Sequence, residues 1–109
     1  MAVKIGTVET FSCIKPDKAQ ALKPLEEAAE VYAAWQKPSS ICKVFFHYGE
    51  CLKCAQIYDG RYCDMHEKLV DECADVIQAV CNLLVAVGVD DMTEVMERCE
   101  QRNRERGRM

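Results

Sequence analysis

The chain has 109 residues, half of them apolar, and a formal net charge of −4. That length bounds it to one domain with a modest core, and the apolar content argues against a disordered chain. No run approaches the ~18 consecutive apolar residues of a membrane span. The opening "MAVKIGTVETFS" lacks the apolar centre of a secretory signal. A cytoplasmic protein with no membrane partner is expected.

Residues 1 to 15 read as an irregular or weakly extended lead-in. The first helix is predicted to start near Asp17, an N-cap after Pro16, and to run through "KAQALKPLEEAAEVYAAWQK". Pro24 either kinks it or sits in the first turn of a helix that begins there. "KPSS" at 37 to 40 ends the helix, and a connector at about 38–63 follows, aromatic and cysteine-rich, with a short helix in it. A long helix is predicted from Asp64 to Val87, stopped by Gly88 as its C′ residue. "GVDDMTEVMERCEQRNRER" forms the last helix, capped by Asp90 or Asp91. Three helices without strand alternation predict an all-α fold, a single helical domain over 1–109.

The connector has its own candidate chemistry. Cys51-x-x-Cys54 and Cys63-x-x-His66, eight residues apart, have the ligand types and pair spacing of a structural Zn²⁺ site. The preferred reading is reduced thiols packed with Phe45, Phe46 and Tyr48, because eight cysteines in a chain without a secretory signal stay reduced. Cys73 and Cys81, on the long helix, read as small core residues.

On a helical wheel the long helix is apolar over a broad arc, from Leu69 and Val70 through Val76, Ile77, Val80, Leu83 and Leu84 to Val87. Asp71, Asp75, Gln78 and Asn82 share the narrow remainder. Glu72 stands on its boundary, beside Val76 and Leu83. A solvated stripe accounts for Asp71 and Gln78, but poorly for Glu72. So wide an apolar arc belongs in a bundle or a subunit interface.

The first helix carries a second acidic group, Glu26, Glu27 and Glu30, at i, i+1 and i+4. Like charges at that spacing cost a few tenths of a kcal/mol per pair on an isolated helix. No base lies four residues beyond them, and Ala28, Ala29, Ala33 and Ala34 would let another helix approach closely. Two helices that each bring carboxylates three residues apart can converge four oxygen ligands on one point. Such a set suits a hard cation, and Mg²⁺ fits carboxylates combined with substrate phosphates.

Glu26-Glu27-x-x-Glu30 followed by Glu72-x-x-Asp75 resembles the metal-binding signature of the all-α nucleoside triphosphate pyrophosphohydrolases. That MazG-like group includes phosphoribosyl-ATP pyrophosphohydrolases and dimeric dUTPases. The resemblance extends over "KPLEEAAEVYAAW", "KLVDECADVIQAVCNLLVAVGVDD" and "CEQRNRERGR". It implies a helical bundle completed by oligomerisation, as a homodimer or larger homo-oligomer. It also implies hydrolysis of an NTP, dNTP or related nucleotide to monophosphate and pyrophosphate. By position, Glu27, Glu30, Glu72 and Asp75 would bind Mg²⁺, for which Mn²⁺ can substitute. Glu26 would be a further ligand or the carboxylate that orients or deprotonates the attacking water. Arg102, Asn103 and Arg106 would contact substrate phosphate. Two features depart from the family: 41 residues separate Glu30 from Glu72, more than is usual, and Cys99 replaces a frequent lysine.

The alternative is a non-catalytic helical interaction module with zinc in the connector. The charge distribution bears on a third reading. Arg98, Arg102, Arg104, Arg106 and Arg108 against Glu100 and Glu105 give the last twelve residues +3, which leaves −7 for the rest. An acidic body with one basic end argues against nucleic acid as a partner. Trp35, Tyr32 and Tyr58 are candidates to stack on a base, with Trp35 read in preference as a core residue.

Overall fold

The computed structural model describes residues 1–37 and 64–109. Among these are three helices and no strand: α1, Lys18–Gln36; α2, Asp64–Ala86; and α3, Thr93–Glu105. The all-α expectation holds. The connector at 38–63, with Cys51, Cys54, Cys63 and Tyr58, lies outside the described residues.

The helix ends follow the chemistry of their caps. Asp17 accepts the backbone N–H of Gln20 at 3.0 Å and starts α1. Since α1 begins at Lys18, Pro24 lies inside it, not in its first turn. Gly88 takes φ +85°, with its N–H on the Val85 carbonyl and the Val89 N–H on the Leu84 carbonyl. That pair of bonds is a Schellman closure of α2. At α3 the cap differs from expectation by one residue. Met92 occupies the N-cap position, while Asp91 before it accepts both the Thr93 N–H (2.9 Å) and the Thr93 hydroxyl (2.7 Å).

α1 and α2 pack on each other and run antiparallel. Glu27 and Glu30 sit opposite Glu72 and Asp75, while Ala34 and Lys37 share a depression with Met65 and Lys68. The buried apolar residues among those described are small, Ala34 and Ala79, so the two backbones can lie close together. α3 makes only slight contact with either helix.

Much apolar surface is left uncovered. Val70, Val80 and Val85 of α2 are exposed, as are Leu25, Tyr32, Trp35 and Met96. Trp35 is 41 % exposed and does not occupy the core position assigned to it. Cys73 is exposed and Cys81 half-buried, so Cys73 is not a core residue either. The broad apolar arc of α2 therefore does not place it at the centre of this single chain.

Candidate active site

Four carboxylates converge between α1 and α2. One oxygen each from Glu27, Glu30, Glu72 and Asp75 lies within 4.8 Å of all the others. The spacing dictates this: residues three apart share a helix face, and the close antiparallel packing sets the two faces opposite each other. Glu72 is buried, at 6 % exposure, and its Oε2 is buried with no hydrogen-bond partner. A buried, unbonded carboxylate oxygen is costly unless something positive meets it.

The charges answer one another in pairs. Lys68 forms an ion pair with Glu72 one turn along α2, and Lys23 pairs with Glu27 at 3.3 Å and Glu26 at 3.5 Å on α1. The hydrogen bond from Lys68 holds the Glu72 carboxyl below its ordinary range. The carboxylates in turn raise both lysines. Glu30 forms no ion pair among the described residues, and Lys68 reaches it only through charge. The charge of Glu27, followed by the hydrogen bond and charge of Glu72, pushes its pKa up.

Lys23 and Lys68 were not singled out in the sequence. The signal was present nonetheless: each lies four residues N-terminal to an acid, within reach on a helix although the reverse order is the more favourable one.

Glu26 is not part of the convergence; it is exposed and paired with Lys23. Arg102 and Arg106 are exposed on or beside α3. Asn103 is half-buried, with its side chain between Cys99 Sγ (3.6 Å) and Arg108 (3.3 Å). Among the described residues α3 makes only slight contact with α1 and α2, so these three residues stand on an element apart from the carboxylates. His66 lies on α2, half-buried, but its three cysteine companions in the zinc expectation fall outside the described residues.

The polar stripe of α2 is also not what a solvated face would give. Asn82 is 4 % exposed, and both Gln78 and Asn82 bond the lead-in segment. Gln78 is half-buried and ties down the lead-in segment, so it is not a simple solvated residue.

Residues 13–103 match the family model of phosphoribosyl-ATP pyrophosphohydrolase. The chain belongs to that family. The match covers both helices that bear the acids and most of α3. No curated protein and no solved structure matches the chain. Membership in the phosphoribosyl-ATP pyrophosphohydrolase family agrees with the all-α architecture and supports a pyrophosphohydrolase activity in broad terms. It also agrees with an acidic cluster able to hold a metal ion. No described helix is long and apolar enough to cross a membrane.

Proposed function

We propose that the protein is a Mg²⁺-dependent nucleotide pyrophosphohydrolase that cleaves an NTP, dNTP or related nucleotide between its α- and β-phosphates. The observation that carries this reading is the convergence of Glu27, Glu30, Glu72 and Asp75 around a buried, unpartnered oxygen. The donor set fits the ion. Four carboxylate oxygens suit a hard cation, and two ammonium groups already balance half of their charge. A divalent cation would balance the remainder.

When bound there, Mg²⁺ supplies positive charge to phosphate oxygens and acidifies a coordinated water. The chain's own residues do the rest. Glu27, Glu30, Glu72 and Asp75 hold the ion, and the antiparallel pair of helices fixes their spacing before substrate arrives. Glu26, adjacent to the cluster and open to solvent, takes the proton of the attacking water. Lys68 keeps Glu72 ionised, and Lys23 and Lys68 lie beside the space a polyphosphate enters. Arg102, Asn103 and Arg106 contact phosphate from α3, Arg through its two-pronged donor geometry.

The exposed apolar surface supports a homo-oligomer. With no large side chain fully buried among the described residues, a second copy covering α2 and α3 would supply the missing core. It would also offer the route by which an arginine-rich α3 reaches an acidic cluster.

The test is incubation of purified protein with a panel of nucleoside triphosphates and Mg²⁺, following pyrophosphate and orthophosphate separately. Monophosphate and pyrophosphate are expected, with Glu72→Gln inactive but still helical. Release of orthophosphate alone, or full activity in Glu72→Gln, refutes the assignment.

A further inference from the structure

Asp75, Gln78 and Asn82 lie along one flank of α2, but only Asp75 belongs to the acidic cluster. The other two hold the lead-in segment. Gln78 Nε2 donates to the Glu9 carbonyl at 2.9 Å and to Asn82 Oδ1 at 3.0 Å. Asn82 Oδ1 also accepts the Phe11 backbone N–H at 3.0 Å. A buried amide is costly unless it is bonded, and here the acceptor of Asn82 fixes the backbone at Phe11. Two residues on, Cys13 holds φ +60°, a left-handed conformation that non-glycine residues rarely adopt. Between these constraints the Phe11 ring stands 63 % exposed. It does not enter the neighbouring cavity of about 350 Å³ lined by Ile5, Val8, Ile77 and Leu84. The fold spends a buried polar group and a strained residue where it holds an aromatic ring in solvent.

We propose that Phe11 is the nucleobase platform of the active site, stacking on the base of a nucleotide whose phosphates lie at the acidic cluster, with Gln78 and Asn82 as its positioning residues. The proposal rests on the hydrolase reading above. Distance supports it: Asn82 lies seven residues beyond Asp75 on the same flank, a rise of about 10 Å. That is comparable to the reach of a nucleoside from its α-phosphate. Charge sets the direction. At the opposite end of the cluster Lys37 and Lys68 flank one depression with Ala34 and Met65, two cations against Lys23 alone at the Asn82 end, and the more positive end suits the pyrophosphate. The base then points toward Asn82. Trp35 stands at the lysine end, on the last turn of α1, and so on the wrong side for the base. An aromatic platform accepts any base, because every base has a π-face, so the ligand class is a nucleotide without a specified base.

The experiment compares Mg²⁺-dependent binding of a nucleoside triphosphate with that of inorganic tripolyphosphate, which has no base. Phe11→Ala is expected to weaken nucleotide binding about ten-fold or more. It should raise KM while kcat holds, and leave tripolyphosphate binding unchanged. Phe11→Trp should keep the affinity and add nucleotide-dependent fluorescence quenching over the Trp35 background. Unchanged nucleotide binding in Phe11→Ala overturns the proposal, as does an equal loss for nucleotide and tripolyphosphate. A loss that follows Trp35→Ala instead of Phe11→Ala also overturns it. If the unaltered protein neither binds nor hydrolyses any nucleotide, the hydrolase reading itself fails, a result distinct from the others.

Discussion

Replacing Asn82 tests how much of the fold depends on one buried amide. Its Oδ1 accepts two hydrogen bonds of 3.0 Å, from the Phe11 N–H and the Gln78 amide, inside a site 4 % exposed. At about 1 kcal/mol net per bond, Asn82→Ala should cost roughly 2 kcal/mol. For a domain of this size that is a fall in melting temperature of about 10 °C. Asn82→Leu is the sharper variant, since it fills the same space with apolar surface yet still leaves the Phe11 N–H without its acceptor. Asn82→Asp keeps the acceptor and should keep the lead-in segment attached. Thermal denaturation gives the stability. Limited proteolysis within residues 1–15 reports the latch, with faster cleavage expected in Asn82→Ala and Asn82→Leu alone. An Asn82→Leu protein that melts at or above the unaltered chain, with the same cleavage rate, refutes the reasoning.

Mg²⁺ should raise the melting temperature of the unaltered protein, because ion concentrations ~100 times the dissociation constant stabilise a binding-competent fold by about 2.7 kcal/mol. Glu72→Gln should lose most of that shift. Lys68→Met should lower stability in metal-free solution, since it removes the counterion of buried Glu72, and the deficit should shrink as Mg²⁺ saturates the site; melting curves across a Mg²⁺ titration check both. Asp91 has its pKa held down by the Thr93 hydroxyl and N–H. Its contribution is therefore full above the ordinary aspartate range and is lost as pH falls through the lowered value. The stability gap between the unaltered protein and Asp91→Ala should be constant near neutrality and close in acid, as followed by urea denaturation at a series of pH values.

The acids illustrate what can be read along a chain. Glu27, Glu30, Glu72 and Asp75 stood out because carboxylates three apart on a helix repel, and such repulsion is retained where a cation offsets it. The cap at Asp17 and the stop at Gly88 were legible for a similar reason: each depends on local backbone geometry and little else. Trp35 and Cys73 were not legible. An apolar residue on an amphipathic helix is buried only if something lies over it, and no periodicity says whether the cover comes from the same chain.

Local sequence thus determined the three helices, the start of α1, the stop of α2 and the acids that share a face, since all of these depend on contacts within a few residues. Tertiary structure alone decided that α1 and α2 run antiparallel with their acids in register, and that Gln78 and Asn82 hold the lead-in segment at Glu9 and Phe11. The physical reason is separation along the chain. The bond from Phe11 to Asn82 joins residues 71 apart, and nothing in the spacing of either segment encodes the partner that folding brings to it.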